Sequence, residues 1–234
     1  MPKLSKLLKS LTPEGAKKAI YIDFEGVGKS TKTKINPKPS LLGVLTGRQY
    51  KAYILDESLK PVTKGRTGFV GNGTADRILE PDLDQVVLDL VECANAEKRT
   101  ILYFSDHEKS TIEEHCSPEA YEAFSEVSGN AKLLLQKWKN RRPRQREGYE
   151  NTLNDFCRFA GKPKWCPKPP QVGSKKGAAV AIRRLWKECP KAKRWSILKE
   201  EDQSLARELL AYNRQDCVVT RKLTIKAVNA LAPR

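Results

Sequence analysis

The sequence predicts an α/β domain with a mixed sheet flanked by helices. Two observations carry that expectation. Short apolar runs rich in branched and aromatic residues recur at Ala19–Phe24, Leu41–Leu45, Gln49–Leu55 and Thr100–Phe104, and runs of this length read as strands. Helical apolar stripes lie between and after them, so the order is strand, hairpin, helix, strand, helices, final helix, which indicates an α/β or α+β domain.

The elements follow in chain order. Met1–Lys18 places Leu4, Leu7, Leu8 and Leu11 at helical spacing among five lysines. With no arginine, a glutamate at position 14 and no long apolar centre, it reads as a basic N-terminal segment, 1–18, forming a short amphipathic surface helix. A single domain is expected over 19–234. Thr46-Gly47 is a turn that makes Leu41–Leu45 and Gln49–Leu55 an antiparallel hairpin. The glycine-rich stretch Thr63–Asp76 reads as a loop or a wide hairpin end. Leu83, Val87, Leu90, Val91 and Ala94 form one helical face, and Pro81-Asp82 supplies its start signal. Ser117-Pro118 opens another helix, with Ser as N-cap and Pro in the first turn. From about 117 to 200 the chain is expected to form a basic helical and loop insertion, with an extended loop over 161–176. The last helix runs from about Ser204 towards Ala230.

Charge narrows the partners. Lys and Arg number 44 against 28 Asp and Glu, a net charge of +16. So large a positive field favours polyanions, and nucleic acid, DNA or RNA, is the expected partner. No apolar run approaches the ~20 residues needed to cross a bilayer, so no membrane partner is expected. The six cysteines contain no C-x-x-C pair and read as reduced thiols, in keeping with a cytoplasmic protein. A zinc site from His115, Cys157 and Cys166 fits no common ligand spacing. The sequence names no protein partner.

The candidate chemistry begins at Tyr21-Ile-Asp-Phe-Glu-Gly26. Asp23 and Glu25 stand two apart at the end of an apolar strand, so both side chains leave the same face. Either they emerge into water as solvated acids, or they are drawn inward, where mutual repulsion demands protons, cationic side chains or hard divalent cations. A second apolar strand runs into acids at Ile101-Leu-Tyr-Phe-Ser-Asp-His-Glu108. Here Asp106 or Glu108 is able to reach a shared site, and Glu108 has the spacing of a helix's first turn. The third segment is Tyr212-Asn-Arg-Gln-Asp216. Asp216 shares a stripe with Leu205, Leu209, Tyr212, Val219 and Leu223. A carboxylate on an apolar stripe needs a compensating partner, whether an internal arginine or a metal ion.

In their order, these three segments resemble the motifs of the DEDD group of 3′–5′ exonucleases, within the RNase H-like superfamily. There D-x-E closes the first strand, an acid follows a later strand, and Y-x-x-x-D lies on a C-terminal helix. The third segment is similar to that of family-B DNA polymerase proofreading domains, and more so to stand-alone predicted nucleases with RNase H-like folds. One departure is Glu108 where the wider group has Asp, which leaves Asp106 as the alternative.

The resemblance implies an RNase H-like mixed sheet flanked by helices. It implies a metal-dependent nuclease, a 3′–5′ exonuclease acting on single-stranded DNA or RNA. Asp23, Glu25, Glu108 and Asp216 would hold two divalent ions, Mg2+ or Mn2+, ~3.5–4 Å apart. Asp23 would bridge both, Glu25 and Asp216 would complete the ion that activates water, and Glu108 would serve the second. Tyr212 would orient that water rather than act as base, because an ordinary phenol with a pKa near ~10 keeps its proton at neutral pH.

Lys137-Trp-Lys-Asn-Arg-Arg-Pro-Arg-Gln-Arg146 carries six cations and an indole. Lys137, Lys139, Arg141, Arg142, Arg144 and Arg146 suit phosphates and Trp138 suits base stacking. The alternative is a solvated basic loop with Trp138 folded into the core. Lys162, Lys164, Lys168, Lys175 and Lys176 extend the basic set, and Lys29 stands just beyond the first acids, placed to meet a substrate phosphate. Gly26-Val-Gly-Lys-Ser-Thr31 is not a P-loop, which needs glycine where Asp23 stands. An endonuclease on the same fold and an inactive nucleic-acid-binding module are the alternatives, since fold alone does not decide function.

Overall fold

The structure, a computed structural model, describes residues 5–28, 37–64, 75–141 and 150–232. Two short helices open it, α1 (Lys6–Ser10) and α2 (Pro13–Lys18), capped by the Ser5 and Thr12 side chains. Then come β1 (Ile20–Glu25), β2 (Leu41–Thr46), β3 (Gln49–Ile54), a 3-10 segment (Glu57–Lys64) and β4 (Ala75–Leu79). They are followed by α3 (Leu83–Ala96), β5 (Ile101–Tyr103), α4 (Asp106–His115), α5 (Pro118–Val127), β6 (Ser128–Asn130), α6 (Ala131–Asn140) and α7 (Leu153–Phe159). A hairpin of β7 (Gln171–Val172) and β8 (Lys175–Lys176) leads to α8 (Ala178–Ala192) and α9 (Glu200–Leu231).

Six strands form one mixed sheet in the order β4-β3-β2-β1-β5-β6. The β1–β2 and β2–β3 pairs are antiparallel, and β3–β4, β1–β5 and β5–β6 are parallel. The fold is therefore α/β, with a layout consistent with an RNase H-like sheet. Helices cover both faces, and β1 sits in the middle.

The alternation of β1 decides where its acids go. Ile20, Ile22 and Phe24 pack into a core shared with α3, α4 and α5. Tyr21 points the other way, into a core formed with α1, α2, α8 and α9. Since side chains alternate along a strand, Asp23 and Glu25 share Tyr21's face and meet α9. A third cluster, around Trp138, Phe156 and Phe159, joins α6 and α7 to Val219, Leu223 and Ala227 of α9.

Several elements depart from the periodicity reading. Starting at the end of the stretch read as a loop and running past it, Ala75–Leu79 is an edge strand parallel to β3. The sequence Ala-Asp-Arg-Ile-Leu has no apolar alternation to announce it. The 3-10 segment buries Leu59 and Val62 at three-residue spacing, the repeat of that helix. Among the described residues between 117 and 200, β6 is the sheet's edge beside β5, and α6 and α7 pack on α9. The N-terminal segment likewise packs in, with Leu8 and Ala16 buried and the Tyr21 hydroxyl donating to the Ala16 carbonyl at 2.6 Å. Among the described residues no helix is long and apolar enough to cross a membrane.

Candidate metal centre

Two elements deliver the central carboxylates. Asp23 and Glu25 project from β1 towards α9. Asp216 lies on α9 between Leu209, in the core beneath the sheet, and Val219, in the α6–α7 cluster. Carboxylate oxygens of Asp23, Glu25 and Asp216 all lie within 4.8 Å of one another. Ligands on opposite sides of a hard cation, each ~2.1–2.5 Å away, are separated by about that distance, so the three acids fit a shared divalent ion. Asp216 is 9% exposed, while Asp23 and Glu25 keep a partial opening to solvent.

Glu108 adjoins this triad from α4. Ser105 caps that helix, and Glu108 reaches back to accept from the Ser105 amide at 3.1 Å and hydroxyl at 2.8 Å. It is 4% exposed, and its charge is felt at Asp23, Glu25 and Asp216. Asp106, two residues earlier, is exposed and accepts from the Asn130 amide at 2.8 Å. Between the two candidates of the second segment, Glu108 is therefore the one turned to the acid cluster.

Electrostatics records the strain of this gathering. Burial, with repulsion from Glu25, Asp216 and Glu108, raises the Asp23 carboxyl well above its ordinary value. Burial, with repulsion from Asp216 and Glu108, does the same to Glu25. Asp216 and Glu108 are each pushed up to about 7, chiefly by burial. The opposing groups are hydrogen-bond donors: Asn213 to Asp23, Tyr212 to Asp216 and Ser105 to Glu108. Carboxylates that resist ionisation for want of positive charge are what a divalent cation would relieve.

Tyr212 stands one helical turn before Asp216, and its nearby hydroxyl favours the ionised form of that carboxyl. Burial and the surrounding acids raise its pKa, so it stays a protonated donor. Its ring borders two cavities. One, about 300 Å³, is lined by Phe24, Glu25, Pro39, His107 and the start of α8 at Gly177–Ala179. Gly177 holds φ at 126° there and gives α8 no side-chain cap, so the N-terminal end of a long helix lines this cavity. The other, about 530 Å³, is lined by Lys164, Lys168, Tyr212 and Gln215.

Asn213, completely buried, carries no weight in the periodicity reading although it stands inside the third segment. Its amide nitrogen donates to Asp23 Oδ2 at 2.7 Å and to the Asp23 carbonyl at 3.0 Å. Its oxygen accepts from the Tyr50 hydroxyl at 2.5 Å. A polar residue on the inner face of a stripe is the only sequence signal, and Tyr50 has none.

The basic decapeptide is divided. Arg142, Arg144 and Arg146 lie outside the described residues, as does Lys29. Trp138 does not offer its face to a base: it is 1% exposed and packs edge-on against Phe159. The apolar demand of the α6–α9 seam outweighs the basic neighbourhood. Lys139 is buried over the Phe156 ring and bonded to Asn151. Lys137 lines a cavity with Leu8, Val228 and Leu231, and exposed Arg141 donates to the Leu231 carbonyl. Position 231 is about 22 Å along α9 from Asp216 at the usual helical rise, so Lys137 and Arg141 lie towards the far end of the helix. His115, Cys157 and Cys166 form no metal-capable group; among the described residues Asp23, Glu25 and Asp216 alone do so.

Neither models of known protein families nor curated proteins give a match to this chain.

Proposed function

We propose that the protein is a divalent-metal-dependent nuclease that hydrolyses phosphodiester bonds, as a 3′–5′ exonuclease on single-stranded DNA or RNA. The observation that carries this reading is the meeting of Asp23, Glu25 and Asp216 within 4.8 Å, with Glu108 buried alongside. Oxygen ligands alone suit Mg2+ or Mn2+ rather than softer metals. Asp23, Glu25 and Asp216 would hold one ion, and Glu108 with Asp23 would serve a second. Such ions supply a water of lowered pKa and stabilise charge on the leaving oxygen.

The chain's own groups do the rest. Tyr212 keeps its proton and favours the ionised form of Asp216. The uncapped start of α8, lining the same cavity as Glu25, offers backbone N–H groups to a phosphate. Exposed Lys164 and Lys168 line the cavity across Tyr212 and suit the backbone of an incoming strand. The assignment as an exonuclease rests on the Tyr-containing third segment. The free state of the six cysteines supports a cytoplasmic setting.

The test is to offer 5′-labelled and 3′-labelled single strands of DNA and RNA with Mg2+ or Mn2+. The expected result is a ladder shortening from the 3′ end, lost in Asp23→Asn. Discrete internal cuts would make the protein an endonuclease. Binding without cleavage in either metal would make it a nucleic-acid-binding module.

A further inference from the structure

One buried amide ties the first metal-binding segment to the third. Asn213 is fully buried, and each of its polar atoms is used. The amide nitrogen donates twice to a single residue, to Oδ2 of the Asp23 side chain at 2.7 Å and to the Asp23 carbonyl at 3.0 Å. Gripping a side chain and its own backbone together removes the carboxylate's rotational freedom. On the other side, Asn213 Oδ1 accepts from the Tyr50 hydroxyl at 2.5 Å. With the phenol donating to its carbonyl end, the amide presents its N–H end to Asp23, whose ionised carboxylate only accepts. Turned round, the amide would aim its oxygen at a carboxylate.

The backbone is cut to fit this arrangement. Gly43 lies directly across from Asp23 on β2. A β-carbon at position 43 would fall 1.8 Å from Asn213 Oδ1 and 2.8 Å from its Cγ, so only glycine leaves room for the amide. Tyr50 comes from β3 and is also buried. Three neighbouring strands and α9 therefore contribute to holding one oxygen of one acid.

We infer that Asn213 is a positioning residue for Asp23, set in its orientation by Tyr50 and accommodated by Gly43, and that it raises the affinity of the centre for divalent cations. Only an amide fills the role. Aspartate of the same shape offers no N–H and adds a charge, and alanine leaves the Asp23 carboxylate and the Tyr50 hydroxyl without this partner.

The inference rests on the metal-centre reading, and the experiment separates the two. Mn2+ is titrated into the whole, metal-free protein without nucleic acid, and free Mn2+ is followed by electron spin resonance. The proteins compared are wild type, Asp23→Asn, Asn213→Ala, Asn213→Asp, Gly43→Ala and Tyr50→Phe, each checked for folding by circular dichroism. Loss of an orienting partner of a ligand typically costs ~10–100-fold in metal affinity. Asn213→Ala and Gly43→Ala are expected to lose that much, one by deleting the amide and the other by displacing it. Asn213→Asp is expected to lose more, and Tyr50→Phe less. Asn213→Asp and Tyr50→Phe, nearly isosteric, keep the test available if the smaller replacements fail to fold. If Asp23→Asn abolishes binding while folded Asn213 and Tyr50 variants bind as wild type does, the positioning role is overturned and the metal centre stands. If Asp23→Asn binds Mn2+ as tightly as wild type, the metal centre itself falls.

Discussion

Asp216 sits where a helix would ordinarily place leucine, and Glu108 is nearly as buried. Their carboxyls are pushed from ordinary values of 3.8 and 4.5 up to about 7. Between about pH 4 and pH 7 the folded, metal-free protein therefore binds more protons than the unfolded chain. Stability falls as pH rises through that window and the loss is complete above it. Denaturant unfolding in a chelating buffer is expected to give a lower free energy at pH 8 than at pH 5. Added Mg2+ is expected to restore more at pH 8, where the acids are ionised. The two candidates of the second segment separate in the same way. Glu108→Gln, which keeps an oxygen for the Ser105 cap but loses the charge, is expected to reduce cleavage by roughly 10–100-fold. Asp106→Asn is expected to leave it near wild type, and parallel rate measurements decide. These residues were legible from spacing because a charge on an apolar face is conspicuous. Asn213 was not, since a neutral amide on such a face reads as an ordinary polar interruption and its partners come from strands 163 and 190 positions away.

At the scale of elements, the strands that carry the site declare themselves by branched apolar runs, and α3 and α9 by their stripes. Elements that hide are those whose burial is one-sided or short. β4 is an edge strand, and α6 is masked by the cations Lys132, Lys137 and Lys139 interspersed among its apolar residues. Trp138 belongs to this scale. Its neighbours in sequence are cations, but its neighbours in space are Phe159, Phe156 and the apolar face of α9. Trp138→Ala is expected to cost ~3–5 kcal/mol of stability, the usual range for emptying a large aromatic site. Chemical denaturation measures this. Affinity of the folded variant for a single strand is expected to stay within twofold of wild type, which a direct role in stacking would not allow.

The whole molecule carries a net charge of +16, yet its described cations are not equivalent. Lys164 and Lys168 border the cavity beside Tyr212, whereas Lys137 lies by the end of α9. Replacing Lys164 and Lys168 together with glutamate is expected to raise KM for a single strand, to leave kcat nearly unchanged and to flatten the salt dependence of binding. Lys137→Glu is expected to change neither by much. Steady-state rates at two ionic strengths separate the two surfaces.

On the proposed function, acids distant in sequence are brought together to be neutralised by divalent cations. Thermal unfolding of wild type and Asp216→Asn at pH 8, each with a chelator and with Mg2+, tests it most directly. Removing one of the crowded charges is expected to raise the melting temperature of the metal-free protein and to erase most of the rise that Mg2+ gives wild type. A wild-type protein indifferent to Mg2+, or an Asp216→Asn variant that gains as much from it, would contradict the account.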